Sequence, residues 1–162
     1  MNGSLPKKAF EQLTMPKPPV TVRKYLPADC ERVMAISKDS PEAAQWPEES
    51  YHRAESAGQS VFVAQVEGRV CGFLVACYSG GEAEILNMAV DFSSRRQGVG
   101  MALVHAALKE LPGNSDVFLE VRESNRSAIA FYGAHGFSIA GKRTGYYRDP
   151  EENALLMNKI TG

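Results

Sequence analysis

Three polar residues in the C-terminal half of the chain have the side chains needed to move protons and hold a ligand. Glu120 lies in a strand predicted over Val117–Val121, and Asn125 and Tyr132 lie in a helix predicted over 125–135. Asn125 and Tyr132 are two helical turns apart, so they share one stripe and can face one ligand. A carboxylate can act as a general base and a phenol as a general acid. The structural alternatives are a solvated charge for Glu120, a helix N-cap for Asn125 and a core position for Tyr132.

A second candidate site precedes the helix predicted over Val99–Leu111. The apolar run Ile85–Val90 predicts a strand, and the polar, glycine-containing stretch Ser93–Gly100 follows it. The first N–H groups of a helix are unpaired, and its dipole adds about half a positive charge at that end. The order strand, loop and helix therefore predicts a site for a phosphate or another anion.

The types of residue in this loop suit a phosphate ligand. Gly98 and Gly100 would let phosphate approach the backbone, and either Arg95 or Arg96 would add positive charge. Two better-known phosphate loops do not fit. The nucleotide-hydrolase loop needs Gly-Lys-Ser/Thr, and the dinucleotide fingerprint needs a third glycine where Leu103 stands.

The elements that must position these residues predict an α+β fold. Strands are expected at 20–25, 60–66, 70–78, 82–90, 117–121, 137–139 and 154–157, with a loop over 144–152 between the last two, and about four helices flank the sheet. Short hairpin connections make most neighbouring strands antiparallel, which gives a mixed, mostly antiparallel central sheet. If the Glu120 strand runs parallel to the Ile85–Val90 strand, its carboxylate reaches the sheet edge beside the loop.

Composition limits the classes of function. The 162 residues are 44% hydrophobic and 23% charged, with a net charge of −1 and a pI near 6.3, which disfavours a nucleic-acid surface. No run is apolar enough for a membrane span or a secretory signal, so a cytoplasmic location is expected. The protein is expected to be a monomer or a homodimer. Residues 1–19 are predicted to be a flexible leader, and residues 20–162 a single domain.

The three cysteines are predicted to be reduced, structural thiols. The spacing of Cys30, Cys71 and Cys77 gives no C-x-x-C pair, and no histidine lies at metal-ligand spacing from any of them. No metal site is therefore expected. Cys71 and Cys77 are an even number of residues apart in one predicted strand and are expected to share its buried face.

The loop pattern Arg/Gln-x-x-Gly-x-Gly/Ala, together with its flanking strand and helix, resembles the acetyl-coenzyme A loop of the GNAT (Gcn5-related) N-acetyltransferases. Further segments are similar to the RimI branch, the bacterial ribosomal-protein alanine N-acetyltransferases. The similar segments are Asn87–Val90, Leu119–Arg122, Asn125, Ala128–Tyr132, Gly136-Phe137 and Tyr146-Tyr147. The resemblance covers roughly residues 20–160.

The resemblance implies acetyl-CoA as co-substrate and a role for each matching residue. Glu120 would be the general base for the amine, and Tyr132 the general acid for the leaving thiolate. The backbone of Met88, Ala89 and Val90 and the side chain of Asn125 would hold the pantetheine arm. The phosphates would bind at the loop residues Arg95, Arg96, Gln97, Gly98, Val99, Gly100 and Met101.

The acceptor side is less well defined. Tyr146 and Tyr147 are expected to contact the acceptor by the same resemblance, although Gly145 stands where the branch usually has asparagine. Trp46, the only tryptophan, is either a hydrophobic anchor for its loop or a wall of the acceptor groove. The sequence predicts transfer of an acetyl group to the N-terminal α-amine of a protein or peptide. A small amine as acceptor and a non-catalytic acyl-CoA-binding module are the alternatives.

Overall fold

The computed structural model describes residues 16–162. Most of the predicted leader lies outside the described residues, and residues 16–19 precede the first strand without regular structure. Seven strands and four α-helices follow. The strands are β1 (Val20–Lys24), β2 (Gln59–Val66), β3 (Arg69–Ser79), β4 (Glu82–Val90), β5 (Asp116–Arg122), β6 (Ser138–Arg148) and β7 (Glu151–Ile160). The helices are α1 (Cys30–Lys38), α2 (Glu48–Arg53), α3 (Val99–Leu108) and α4 (Arg126–Ala134).

The strands form one sheet in the order β1-β2-β3-β4-β5-β7-β6. Every neighbouring pair is antiparallel except β4 and β5, which are parallel and are joined through α3. The prediction of an α+β fold with a mixed, mostly antiparallel sheet and about four helices is therefore confirmed. Among residues 16–162, no helix combines the length and apolarity needed to cross a membrane.

The parallel pair β4 and β5 separates halfway along its length. Their register runs from Glu82 opposite Asp116 to Ile85 opposite Leu119, and beyond these residues the two strands no longer pair. At the same point the β3–β4 register skips Leu86, which marks a β-bulge in β4. A bulge bends the strand that carries it. The bend and the lost pairing leave a gap between the carboxyl-terminal halves of β4 and β5.

Helices cover both faces of the sheet. On one face α3 and α4 pack over β2–β5, with fully buried residues such as Leu103 and Val104. On the other face α1 and α2 pack over β2–β4 through Val33, Ile36 and Tyr51. Burial of each such apolar side chain contributes roughly 1.5–3 kcal/mol. The two packed layers hold the separated strands in place.

The last two strands are longer than predicted. The expected loop over 144–152 lies mostly in strand, because β6 runs to Arg148 and β7 begins at Glu151. β6 is an edge strand, and nearly all of its residues are exposed. It therefore lacks the apolar alternation by which a half-buried strand is recognised in a sequence.

The prediction that Cys71 and Cys77 share a face is wrong. In the β2–β3 register Ala64 pairs with Gly72 and Gln65 with Val70, so Cys71 is the extra residue of a β-bulge. Cys71 packs in the core under α3, whereas the alternation places Cys77 on the opposite face of β3. All three cysteines are free thiols; Cys30 and Cys71 are buried, and Cys77 is partly exposed.

Candidate active site

A cavity of about 430 Å³ occupies the gap between β4 and β5. The cavity is lined by Glu120, Asn125, Tyr132, Met88 and Tyr147 and by residues of the loop between α1 and α2. The structure therefore brings together the carboxylate, the amide and the phenol that the sequence singles out. The parallel arrangement of β4 and β5, on which this convergence depends, is also present.

Glu120 is the first residue of β5 beyond the part that pairs with β4. Its neighbours Leu119 and Val121 are buried under α3 and α4, so the alternation turns Glu120 to the face of α1 and α2. Its side chain is 16% exposed, and its carboxylate forms an ion pair with Nε of Arg143 at 2.7 Å. Arg143 is a neighbour that sequence reasoning missed, because its own strand has no recognisable pattern.

Tyr132 lies on the opposite face and is buried in the core beneath α4. Its hydroxyl donates to the sulfur of Met88 at 3.9 Å, and its ring contacts the rings of Phe131 and Phe137 edge to face. Burial raises the pKa of Tyr132 well above its ordinary value. The phenol therefore keeps its proton at neutral pH and is available as a donor. The cavity passes through the gap in the sheet, so it is reached by Glu120 from one face and by Tyr132 from the other.

Asn125 has the structural role that the sequence left open and also lines the cavity. Its Oδ1 accepts the backbone N–H of Ala128 at 3.1 Å and so caps α4. The cap fixes the side chain at the start of the helix. The Nδ2 group remains able to donate a hydrogen bond into the cavity.

The predicted anion site has the backbone geometry that a helix start requires. Gly98 has φ of +84° and is the N-cap of α3. The first bond of the helix runs from the N–H of Ala102 to the oxygen of Gly98 at 3.0 Å. The amides of Val99, Gly100 and Met101 therefore precede the helical ladder and are available to an anion.

The loop side chains of Arg95, Arg96 and Gln97 are exposed but differ in their contacts. Arg95 donates to the oxygen of Val90 at 3.0 Å and to Ser40 at 3.1 Å, so it ties the loop to the segment after α1. Gln97 donates to the oxygen of Ser93 at 3.0 Å. Arg96 is exposed and has φ of +59°. Of the two arginines, Arg96 is the one that the described residues leave without an ion pair.

The two loop glycines differ in their surroundings. A Cβ at Gly98 would have open space within 4 Å, whereas one at Gly100 would lie 3.2 Å from Cζ of Phe131. Gly100 therefore lets α3 pack closely against α4, in addition to any role toward a ligand. A bulky residue at this position would press against Phe131 and disturb the packing of the two helices.

The carboxyl-terminal half of β4 supplies the other wall of the gap. Among residues 16–162, no strand pairs with the β5-facing backbone groups of Met88, Ala89 and Val90. Asn87 is 4% exposed, and its Nδ2 donates to the oxygen of Ala44 at 2.8 Å, which holds the α1–α2 loop against the cavity. Asn87 belongs to a segment that resembles the RimI branch, but its contact with Ala44 depends on the bulge beside it and has no signal in the sequence.

The three predicted acceptor contacts occupy different positions. Tyr147 lines the cavity, and the guanidinium of Arg122 stacks on its ring at 4.2 Å. Tyr146 is 50% exposed; side-chain hydrogen bonding with Glu120 raises the pKa of its phenol. Trp46 is not among the residues that line the cavity and packs beside Tyr51 with the ring centroids 5.8 Å apart, which favours the anchor role.

Gly145 departs from the pattern of the RimI branch at a position with an unusual backbone. Its φ is +61°, and it lies in an irregular part of the β6–β7 register, where its N–H donates to Oδ1 of Asn153 at 3.0 Å. Glycine adopts this left-handed conformation without strain, and asparagine tolerates it better than most residues. The departure is therefore compatible with the same local backbone.

Comparison with known proteins places the chain in a family. The profile of the Acetyltransferase (GNAT) family matches residues 27–137. The chain belongs to this family. It is 34% identical over 119 residues to the [ribosomal protein bS18]-alanine N-acetyltransferase of Escherichia coli K12. The matched region covers 71% of this chain and 80% of that enzyme. The resemblance to the GNAT family and its RimI branch is therefore confirmed, and the protein is an N-acetyltransferase.

Solved structures of family members have the same architecture. The ribosomal-protein-S18-alanine N-acetyltransferase from Escherichia coli superposes with a TM-score of 0.76 at 30% identity, covering 88% of this chain and 94% of that one. Ard1 from Thermoplasma volcanium gives a TM-score of 0.77 at 37% identity, covering 88% and 98%. Members of this family use acetyl-CoA as the acetyl donor.

Proposed function

We propose that this acetyltransferase moves the acetyl group of acetyl-CoA directly to the N-terminal α-amine of a protein or peptide. The observation that carries the proposal is the single cavity that Glu120 and Tyr132 enter from opposite faces of the sheet. Two substrates could meet in the gap between β4 and β5, with a base on one side and an acid on the other. Direct transfer requires this kind of ternary site.

The surroundings of Tyr132 fit the acetyl-CoA side. The amides of Val99, Gly100 and Met101 and the exposed Arg96 would hold the phosphates. The unpaired edge of Met88–Val90 would bind the amide groups of the pantetheine arm as an added strand would. The Nδ2 group of Asn125 would donate to the same arm.

Glu120 would serve as the base for the acceptor amine. An N-terminal amine has a pKa of about 8 and is mostly protonated at neutral pH, so it must lose a proton before it can attack the thioester. Glu120 would accept this proton across a hydrogen bond or through one water molecule. Glu120 faces the α1–α2 side of the sheet, whereas the predicted phosphate loop begins α3 on the other side, which supports a role toward the acceptor.

Tyr132 would protonate the departing sulfur. When the tetrahedral adduct collapses, the carbon–sulfur bond breaks and its electron pair stays on sulfur as a thiolate, whose conjugate thiol has a pKa of about 8.5. Tyr132 lies beside Met88 in the α4 face of the cavity and keeps its proton at neutral pH. Its phenol would therefore donate to the thiolate as the bond breaks.

The cysteines support direct transfer over an acyl-cysteine intermediate. None of the three is among the residues that line the cavity. Burial raises the pKa of Cys71, which disfavours the nucleophilic thiolate. No side chain on the cavity wall is a thiol that could carry the acetyl group.

The choice of an α-amine rests on the relatives. The enzyme from Escherichia coli is named for an alanine of a ribosomal protein. Alanine has no side-chain nitrogen, so the amine in such a reaction can only be the N-terminal one. Identity of 34% over 80% of that enzyme supports the same class of acceptor here.

An acceptor panel tests this proposal. Release of free coenzyme A is measured with a peptide that begins with alanine and contains an internal lysine, with the same peptide N-formylated, and with polyamines and aminoglycosides. Turnover with the free peptide alone is the expected result. Turnover that survives formylation would identify a lysine acceptor, and turnover with the small amines alone would contradict the peptide proposal. Acetyl-CoA binding without turnover on any acceptor would favour a non-catalytic module.

Glu120→Gln provides the matching test of the base. Its rate should fall by about 10²- to 10⁴-fold, as is typical for loss of a general base, with acetyl-CoA affinity unchanged. The control is Glu123→Gln, because Glu123 lies nearby outside the cavity and pairs with Lys142 and Asn153. Equal losses in both variants would remove Glu120 from the mechanism.

A further inference from the structure

Three side chains with metal-binding chemistry meet beside α2, away from the proposed acetyl-transfer site. Ligand atoms of Cys30, Glu48 and His52 all lie within 4.8 Å of one another. Nε2 of His52 is 3.1 Å from a carboxylate oxygen of Glu48, and the hydroxyl of Tyr25 is 3.5 Å from Nδ1 of His52. No metal was expected from the sequence, because the histidine partner of Cys30 lies in another element.

The elements hold the cluster in a defined geometry. Cys30 begins α1, whereas Glu48 and His52 lie one turn apart on α2 and therefore project from the same side of that helix. The thiol of Cys30 lies at the buried base of the cluster. The side chains of His52 and Glu48 are 34% and 66% exposed, so an ion could enter from solvent.

The pair of Glu48 and His52 by itself would be an ordinary surface contact. Such an i,i+4 pair contributes only about 0.3–0.5 kcal/mol and implies no ligand. The cluster differs from such a pair because a third, soft donor, the buried thiol of Cys30 from α1, lies within 4.8 Å of both ligand atoms. Tyr25 adds an outer partner for the imidazole, because its hydroxyl lies 3.5 Å from Nδ1 of His52.

The set of donors suits one class of ion. Zn²⁺ binds cysteine sulfur, histidine nitrogen and carboxylate oxygen in a tetrahedron, at about 2.3, 2.0 and 2.1 Å. These bond lengths separate neighbouring ligand atoms by roughly 3.5 Å, so small rotations of the three side chains would close the present cluster around the ion. Three protein ligands leave one position for water.

We propose that Cys30, Glu48 and His52 form a binding site for Zn²⁺ or a similar divalent transition metal. Binding displaces the thiol proton of Cys30 to solvent and leaves the thiolate on the metal. Tyr25 orients the imidazole of His52 from the outer shell. The ion joins the start of α1 to α2, the helix that follows the loop in which Ala44 is bonded to Asn87 at the cavity.

Cobalt substitution tests the site without reference to catalysis. The untagged, reduced, full-length chain is titrated with Co²⁺, and absorption is recorded in the near ultraviolet and the visible. The wild type should show a sulfur-to-cobalt charge-transfer band together with tetrahedral d–d bands. Zn²⁺ should displace the cobalt at one equivalent, because it binds such sites more tightly.

Variants assign the ligands. Cys30→Ser should lose the charge-transfer band, and His52→Gln and Glu48→Gln should weaken zinc binding by more than the roughly 10- to 100-fold cost of losing an outer-shell partner. Tyr25→Phe should fall within that 10- to 100-fold range. The controls are Cys77→Ser and His105→Gln, which lie outside the cluster and should bind as the wild type does.

Several outcomes would overturn the site. They are a wild type without the charge-transfer band, unchanged zinc affinity in His52→Gln, and a band that disappears in Cys77→Ser instead. Because His52 and Glu48 are exposed, their variants stay informative even if Cys30→Ser fails to fold. Acetyl transfer takes no part in these measurements, so their result is independent of the proposed function.

Discussion

Replacing Tyr132 with phenylalanine separates a catalytic hydroxyl from a structural one. The side chain is only 6% exposed, and its hydroxyl contacts the sulfur of Met88 at 3.9 Å. A thioether is a weak acceptor, so loss of this contact should change the free energy of unfolding by less than about 1 kcal/mol. The ring keeps its packing against Phe131 and Phe137.

The expected effect on catalysis is far larger. If the phenol protonates the thiolate, turnover should fall by about 10²- to 10⁴-fold. This loss corresponds to roughly 2.7–5.5 kcal/mol in the activation barrier. Tyr132→Phe should therefore be nearly neutral in folding and severely impaired in turnover, and acetyl-CoA affinity should change little.

The assay measures both quantities on the same samples. Urea unfolding gives the free energy of unfolding, and coenzyme A release at saturating acetyl-CoA gives turnover. Tyr78→Phe is the matched control, because the hydroxyl of Tyr78 donates to the oxygen of Ala107 at 2.9 Å and is not among the groups that line the cavity. It should lose about 1 kcal/mol of stability and keep its turnover. Near-normal turnover in Tyr132→Phe would refute the role of the acid.

Three further predictions concern the loop, an ion pair and the pH profile. Gly100→Val should lower the melting temperature and weaken acetyl-CoA binding in calorimetry, because the new side chain would press on Phe131; an unchanged affinity would place the phosphates elsewhere. Hydrogen bonding to Arg23 holds the pKa of Asp29 below its ordinary value, so this carboxylate stabilises the fold above about pH 4 and loses that effect as pH falls through its lowered pKa. Asp29→Asn should thus cost about 1.5–3 kcal/mol in urea unfolding at pH 7 and little at acid pH, and a loss independent of pH would contradict this. The raised pKa of Tyr132 predicts that its ionisation causes no loss of kcat/KM up to about pH 10. Fluorotyrosine at this position lowers the pKa of the phenol, so a new alkaline loss of kcat/KM should appear, and an unchanged profile would contradict the role of Tyr132 as the acid.

Local sequence patterns were sufficient for the phosphate loop and for the strand and helix that carry Glu120 and Tyr132. The basic glycine loop predicted the start of α3, and the order of strands allowed the parallel arrangement of β4 and β5 that brings Glu120 to the cavity. These features depend on residues close together in the chain, where turn chemistry and apolar periodicity are direct signals.

Features that depend on register or on distant contacts were not predictable. The bulge at Leu86 opens the gap between β4 and β5, and the bulge at Cys71 turns that residue away from the face of Cys77, yet neither has a composition signal. The meeting of Cys30 with His52 is likewise a result of how α1 and α2 pack. A bulge adds one residue to one strand, and its position is decided by tertiary packing.

The dependence of turnover on the leaving group tests the assignment of base and acid most directly. Turnover of Glu120→Gln and Tyr132→Phe is measured with acetyl-CoA and with an acetyl thioester whose thiol has a much lower pKa. A low-pKa thiolate needs little protonation as it departs, whereas the amine still has to lose its proton. The activated donor should therefore restore much of the rate in Tyr132→Phe and little in Glu120→Gln. Equal restoration in both variants, or in neither, would contradict the assignment of base to Glu120 and acid to Tyr132.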